Sequence, residues 1–463
     1  MKNNEIKEKS LTEIQELFIK KELSPVEYFK DVVSWMEEGK ELNTINKVLF
    51  ETGEKEAKES EKRYLEGKPL SPLDGIPVGI KDVIDVANVP TTKGCDAYLD
   101  NIPKKDSFVV SSFRKDGAVI VSKTNTSQFA MGPMGEVALN GPCRNAHNPD
   151  YYTGGSSCGS ASAVSGHILP AAIGTDTGGS IRMPASLCGV VGLKPTFSLV
   201  SNQGAMPLST TLDTIGPLTR TVKDNAVMLN SMTRYNRNDW RCNPHNEGND
   251  YCSQIGQKTK GGVIYDPKLF DVRVDSEMKE MLYKSIDSFK EDGTPVKSGT
   301  LPDISKYRSA HQLILCAGGH EEHAKDMVKH QSHIYPQVFD RLTSGDLTSD
   351  EYIGYERMKD SLIEILYSFM GDADVFAIPA TPIPAVPIGQ KTLVLDGVEE
   401  EVIKIYPRFT WIGNFSGFPA IVVPMGLNKK GLPLSISLIG RPYQEAILYQ
   451  YAAILESKAN KLW

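Results

Sequence analysis

The chain has 463 residues, of which 40% are hydrophobic and 24% charged, and its formal net charge is −7. This length can bury a large core, in one large α/β domain or in several smaller ones. The slight acidic excess argues against direct binding to nucleic acid or to an anionic membrane, but it does not exclude a partner protein that carries RNA.

The chain has seven cysteines at irregular spacings, and no two of them form a CxxC pair. Residues 1–10 are polar and charged, without the apolar stretch of a secretory signal. We find no apolar run of the roughly 18 residues that span a bilayer. We therefore expect a soluble cytoplasmic protein with free thiols and no membrane contact.

The N-terminal segment, residues 1–68, predicts helices. Ser10 and Glu13 are spaced as a capping box, and so are Ser24 and Glu27, with a proline between them at the first helical position. The highly charged stretch 54–66 predicts a solvated helix.

Strands and helices alternate along the rest of the chain. The predicted strands are 78–81, 118–122, 168–174, 262–265, 375–378, 420–424 and 434–438. The predicted helices begin near residues 160 and 221 and span 276–290 and 444–458, and 235–260 is a surface loop. This order predicts an α/β sheet covered by helices on both faces.

Two glycine-rich tracks, 154–160 (GGSSCGS) and 174–182 (GTDTGGSIR), are the most informative part of the sequence. Glycine lets backbone N–H groups crowd around a small ligand. A hydroxyl at the end of such a track, as at Ser180, can be surrounded by donors. An acyl-transfer nucleophile and its oxyanion site need this combination.

A serine nucleophile also needs a base. Only His147 and His167 lie near the tracks, and neither has the context of a Ser-His-Asp triad. A neutral lysine can act instead if burial lowers its pKa. Lys81, at the end of an apolar strand, suits that role, although local sequence alone favours a surface lysine paired with Asp82.

The motifs together resemble the amidase signature family. They are residues 75–82 (GIPVGIKD), 154–157 (GGSS), 176–184 (DTGGSIRMP) and 188–196 (CGVVGLKPT), with 129–132 (FAMG) and 415–420 (FSGFPA) as further matches. The likeness is strong over 70–235 and looser over 370–450. A set this long is far more specific than a lone glycine motif.

The resemblance implies a role for each matching residue. Ser180 is the expected nucleophile, Ser156 the bridging serine in a cis peptide bond, and Lys81 the terminal base. The backbone N–H groups expected in the oxyanion hole are those of Thr177, Gly178, Gly179 and Ser180. We expect Ser157, Asp176 and Arg182 to support the site.

The substrate pocket is harder to predict. We assign Met131 and Gly132 to it because the resemblance implies that this segment lines the pocket. We also assign Trp411 and Asn414, and Arg408 is a further candidate, although core or surface roles are at least as reasonable for these three. Cys158 stands where the family usually has glycine. The histidines at 311, 320, 323, 330 and 333 predict a polar helix face rather than a metal site.

The resemblance implies a single domain over 1–463 with one large mixed β-sheet. Its signature core is 70–235, and 236–463 supplies the remaining sheet, the variable pocket region and the C-terminal helix. The implied activity is hydrolysis of a linear carboxamide to carboxylate plus ammonia or amine, without metal or organic cofactor. We expect a small-molecule amide as substrate and a monomer or homodimer.

An alternative is the glutaminase A-type subunit of a tRNA-dependent amidotransferase complex, working with RNA-binding partners. The core motifs fit that function too. Against it, Pro407 occupies the place where such proteins usually have an acidic glutamine-binding residue.

Overall fold

A mixed sheet runs through the centre of the molecule, in a computed structural model that describes residues 3–244 and 248–459. The strands are β1 (Ile45–Val48), β2 (Pro77–Lys81), β3 (Val119–Thr124), β4 (Ala171–Asp176), β5 (Val191–Lys194), β6 (Thr214–Thr219), β7 (Val263–Tyr265), β8 (Val296–Ser298), β9 (Val375–Pro379), β10 (Thr392–Leu395), β11 (Val398–Glu401), β12 (Ala420–Leu427) and β13 (Pro433–Gly440).

The helices complete the chain. They are α1 (Asn3–Lys7), α2 (Leu11–Lys20), α3 (Pro25–Glu38), α4 (Phe50–Leu65), α5 (Phe108–Lys115), α6 (Cys158–Ser165), α7 (Arg182–Cys188), α8 (Val222–Met232), α9 (Pro267–Asp271), α10 (Ser276–Glu291), α11 (Ser305–Lys329), α12 (Pro336–Thr343), α13 (Ser349–Met370), α14 (Val402–Ile405), α15 (Trp411–Phe415) and α16 (Glu445–Lys458).

Eleven of these strands form one sheet in the order β1-β3-β2-β4-β6-β5-β12-β13-β9-β7-β8, and β10 and β11 form a separate hairpin. Strand β2 is parallel to both β3 and β4, whereas β4, β6, β5, β12, β13 and β9 pair antiparallel in succession. Every residue of β2, β3 and β4 is buried, so this part of the sheet is covered on both faces.

The predicted α/β architecture is confirmed. Both N-terminal capping boxes are formed, and the predicted strands occur within about three residues of their expected ends. The sequence does not predict strands β1, β5, β6, β8, β10 and β11 or the long helices α11 and α13. None of the helices within the described ranges has the length and apolar character of a membrane-spanning helix.

Candidate active site

The candidate site lies where two parallel strands end. Strand β2 ends at Lys81 and its neighbour β4 ends at Asp176, with Ile80 opposite Ile173 in the register. Because parallel neighbours present their carboxyl ends at the same edge, Lys81 and the end of β4 come together. Ligands of open α/β sheets bind at this kind of edge.

Lys81 is fully buried, and its Nζ lies 2.7 Å from both Ser156 Oγ and Thr175 Oγ1. Burial lowers the pKa of Lys81 to about 7, although the nearby acidic groups of Cys158, Asp176 and Asp213 act to raise it. A large share of the amine is therefore neutral near pH 7, and a neutral amine can take a proton from a hydroxyl.

The local alternative for Lys81, an ion pair with Asp82, is wrong. Asp82 instead pairs with the buried Lys123, at 2.9 Å. It also accepts hydrogen bonds from Thr92 and Asn46. Lys81 is thus left in contact with hydroxyl groups rather than with a carboxylate.

Ser156 follows a cis peptide bond from Gly155. A Cβ on Gly155 would lie 2.2 Å from the carbonyl oxygen of Gly132, so only glycine fits this position. The Gly155 N–H donates to Pro133 O at 2.9 Å, and the Ser156 carbonyl accepts from Ser127 N and Thr126 Oγ1, each at 3.1 Å. Gly132, predicted in the pocket, thus contacts the backbone beside the bridging serine.

Ser180 lies next to this segment and is 8% exposed. Its carbonyl accepts a hydrogen bond of 3.1 Å from the N–H of Ser157, whose own hydroxyl donates to Thr175 O at 3.2 Å. Within the described chain, the Ser180 hydroxyl makes no hydrogen bond to Ser156 or Lys81. The expected roles of Ser180, Ser156 and Lys81 imply a proton relay with two hydrogen bonds, from Ser180 to Ser156 and from Ser156 to Lys81. The structure contains the contact between Ser156 and Lys81.

Asp176 and Arg182 hold the loop between β4 and α7. Asp176 accepts hydrogen bonds from Gly179 N at 2.8 Å and Ile181 N at 3.1 Å, and it pairs with Arg182 at 2.9 Å. Burial favours the protonated acid, but the Arg182 guanidinium and the Asn414 amide hold the pKa of Asp176 below its ordinary value. The carboxylate therefore stays charged and keeps its donors.

The carbonyls of this loop all accept hydrogen bonds from the protein. The bonds run to Asp176 O from Thr214 Oγ1 and Asn414 Nδ2 (3.1 Å each), to Thr177 O from His311 Nε2 (3.0 Å), to Gly178 O from Thr410 Oγ1 (2.6 Å) and to Gly179 O from Met183 N (2.7 Å). Because a trans peptide is planar, each carbonyl points away from the N–H of the same peptide unit.

The four predicted oxyanion donors are therefore not equivalent. The N–H of Gly179 already donates to Asp176. Among the described residues, the N–H groups of Thr177, Gly178 and Ser180 have no acceptor. Gly179 itself has φ +124°, and an added Cβ would lie 2.2 Å from Thr410 Oγ1. Three N–H groups beside Ser180 thus remain for a ligand.

Of the other predicted pocket residues, Met131, Trp411 and Asn414 are buried, whereas Arg408 is partly exposed. Trp411 is 3% exposed and donates to Arg408 O at 3.0 Å, while Met131 packs against α11. The Asn414 side chain accepts a hydrogen bond from Arg182 and donates one to Asp176, so the oxygen and the nitrogen of its amide are both used. Arg408 pairs with Glu400 at 2.8 Å. These contacts favour loop support over substrate contact for Asn414.

Sequence reasoning missed three residues that contact the site. Thr175 lies inside the quoted glycine track, where a hydroxyl at the end of β4 was an available signal. His311 was expected on a polar helix face, but it is 3% exposed and contacts the loop. Like Thr410, it reaches the loop through tertiary packing that no local pattern marks.

The histidines of α11 make separate contacts. His320 Nδ1 lies 3.0 Å from Leu342 O, and His323 Nδ1 lies 3.0 Å from Asp326. In the parts of the chain that the structure describes, no group of three or more His, Cys, Asp or Glu side chains is arranged to hold a metal ion.

Known proteins are similar to this chain in sequence and in fold. A family model for Amidase matches residues 33–448. The A subunit of glutamyl-tRNA(Gln) amidotransferase from Xanthobacter autotrophicus is 34% identical, with 98% of this chain and 97% of the relative covered.

Solved amidase structures are also similar. A crystal structure of an amidase has a TM-score of 0.88 and 26% identity, covering 98% of this chain and 100% of its own. The peptide amidase from Stenotrophomonas maltophilia has a TM-score of 0.86 and 26% identity, covering 98% and 97%. The chain therefore belongs to the amidase family, as the resemblance in its motifs implied.

Proposed function

We propose that this protein hydrolyses a carboxamide through an acyl-enzyme on Ser180. The Ser180 hydroxyl attacks the amide carbon, and its proton passes through Ser156 to Lys81. The N–H groups of Thr177, Gly178 and Ser180 stabilise the tetrahedral oxyanion. The proton then returns to the leaving nitrogen, and water repeats the cycle on the acyl-enzyme to release the carboxylate.

The observation that supports this proposal best is the 2.7 Å contact between Lys81 Nζ and Ser156 Oγ in a fully buried site. A buried amine whose pKa is lowered to about 7 suits a base that works near neutral pH. In this proposal, the hydrogen bond from Ser180 to Ser156 tightens when substrate binds, as catalytic hydrogen bonds commonly do.

The relatives favour one setting for this chemistry. Two of them, both A subunits of glutamyl-tRNA(Gln) amidotransferases, are 34% and 31% identical over nearly their whole length. We therefore propose the amide of glutamine as the first substrate to test, with this chain as one subunit of an amidotransferase. Ammonia released at Ser180 would then be used by partner subunits.

A second setting, a stand-alone amidase, rests on residues 407 and 408. Pro407 has no negative charge with which to bind the ammonium group of glutamine, and the neighbouring Arg408 is paired with Glu400. The similar solved structures include an amidase and a peptide amidase. In this setting the substrate is a small carboxamide and no partner is needed.

Hydroxylamine trapping tests the chemistry. The isolated chain is incubated with glutamine, propionamide or benzamide in the presence of hydroxylamine, which converts an acyl-enzyme to a hydroxamate. We expect hydroxamate from at least one amide and none from Ser180→Ala with native circular dichroism. Normal turnover by Ser180→Ala would overturn the proposal.

Substrate preference and the effect of partner proteins separate the two settings. Turnover of propionamide or benzamide by the isolated chain, without activity on glutamine, supports the stand-alone amidase. Ammonia release from glutamine that rises when the chain is purified with its native partners supports the role in an amidotransferase complex.

A further inference from the structure

We propose that His311 is a positioning residue for the oxyanion site: it holds the carbonyl of Thr177 and thereby directs the N–H of Gly178 at the substrate. The inference rests on the proposed function. It assigns a role to a helix, α11, that lies outside the signature motifs.

The geometry of one peptide unit carries the inference. His311 Nε2 lies 3.0 Å from Thr177 O, and the nitrogen of the same peptide unit is that of Gly178. Because this unit is trans and planar, pinning its oxygen fixes the direction of its N–H. That N–H has no acceptor among the described residues, so it is available to a ligand.

The chemistry of the contact fixes the form of the imidazole. A carbonyl oxygen only accepts, so Nε2 must carry the hydrogen. Burial lowers the pKa of His311 to about 4, so the ring is neutral at physiological pH. A hydrogen bond on the carbonyl also polarises the peptide unit and strengthens its N–H as a donor.

The surroundings hold the ring in place. His311 is 3% exposed, and its ring lies 6.4 Å from that of Trp411 and 6.2 Å from that of Phe415. A Cβ at Gly178 would lie 3.1 Å from His311 Cε1. The imidazole thus packs directly against the loop, and glycine at 178 allows that approach.

The neighbouring peptide provides a contrast. Thr410 Oγ1 holds the carbonyl of Gly178 at 2.6 Å, but the N–H of that unit, on Gly179, donates to Asp176 at 2.8 Å. Thr410 therefore positions a peptide that faces the protein, whereas His311 positions one that faces the ligand.

The test compares His311→Phe, which removes the donor and keeps an aromatic ring, with His311→Gln, whose amide N–H can replace Nε2–H. Loss of a direct oxyanion donor costs about 10²–10³-fold in kcat, so we expect about a 10- to 100-fold loss for a misdirected one. We expect His311→Phe to lower kcat by that factor with little change in KM, and His311→Gln to recover most of it.

A second readout separates positioning from simple packing. An aldehyde analogue that forms a tetrahedral adduct should bind His311→Phe more weakly by the same factor, while the carboxylate product binds equally. Equal weakening of both ligands, or unchanged kcat, would overturn the inference. His320→Phe is the matched control, because His320 also contacts a backbone carbonyl from α11 but away from the loop.

Two further measurements complete the design. If Ser180→Ala is inactive while His311→Phe is normal, only the role of His311 fails; if Ser180→Ala is active, the proposed function fails with it. In the wild-type protein, ¹⁵N NMR should show the Nε2–H tautomer of His311 at pH 6–8. The Nδ1–H tautomer would overturn the inference even if His311→Phe did not fold.

Discussion

Lys81 and Lys194 form a natural comparison between two parts of the sheet. Each is the last residue of a buried strand, β2 or β5, and each is fully buried. Burial lowers the pKa of both to about 7. The two lysines differ in what their amines contact.

The amine of Lys81 meets the hydroxyls of Ser156 and Thr175, whereas that of Lys194 donates to the carbonyl of Pro195 at 2.6 Å. A hydroxyl can give up a proton and a carbonyl has none to give. Burial therefore prepares a neutral amine at both positions, but only the neighbours of Lys81 allow it to act as a base.

The largest expected difference is between Lys81→Met and Lys194→Met. Loss of a general base costs up to about 10⁴-fold, so Lys81→Met should lower kcat/KM by roughly 10³-fold or more. Lys194→Met should keep activity within about tenfold because it removes no proton acceptor from the relay. Steady-state kinetics at pH 8, with circular dichroism of both variants, makes the comparison. Similar losses in the two would refute the distinction.

The bridging serine gives the next largest effect. Ser156→Ala should lower kcat/KM by about 10²–10⁴-fold, because it breaks the proposed proton path from Ser180 to Lys81. Ser160→Ala is the control in the same glycine track, since Ser160 is also buried but its hydroxyl bonds to Ile173 O and Thr124. If Ser156→Ala turned over amide as fast as Ser160→Ala, the relay would need another route.

The pH profile should sharpen the comparison with a smaller effect. The proposed mechanism needs neutral Lys81, so kcat/KM should rise with pH through about 7 and then level off. Lys194→Met should leave this inflection in place. Asp213→Asn should move it to lower pH, because the charge of Asp213 favours protonated Lys81. If Lys194→Met moved the inflection, the titration would belong to Lys194 rather than to Lys81.

The sequence gives stronger signals for the candidate site than for the residues that surround it. Lys81, Ser156 and Ser180 lie in local motifs whose spacing is visible in one chain. His311 and Thr410 lie 134 and 232 residues away in the sequence from the loop residues that they contact. Only the fold brings them there, because the packing of α11 and α15 against the β4–α7 loop leaves no local pattern.

Helices show the same limit. Helix α11 begins after Ile304 without a side-chain cap and contains two adjacent glycines, Gly318 and Gly319, so its sequence gives weak signals. Helix α13 has a formed capping box from Thr348 to Glu351 that sequence reasoning did not use. Helix α11 was not predicted because tertiary packing, rather than local propensity, determines it. Helix α13 could have been predicted from its capping box.

The smallest expected effect concerns stability. Burial places the folded-state pKa of Lys194 at about 7, below the 10.5 of an exposed lysine. Between these values the unfolded chain binds a proton that the folded chain lacks, so the free energy of unfolding should rise with pH from 7 toward 10. Lys194→Met removes the contribution of Lys194 to this pH dependence and leaves that of Lys81.

Urea denaturation at about pH 7, 8 and 9 should therefore show a shallower rise in the free energy of unfolding for Lys194→Met than for the wild type. An identical rise would mean that Lys194 stays charged in the folded protein, which would remove the physical basis for treating the two lysines as a matched pair.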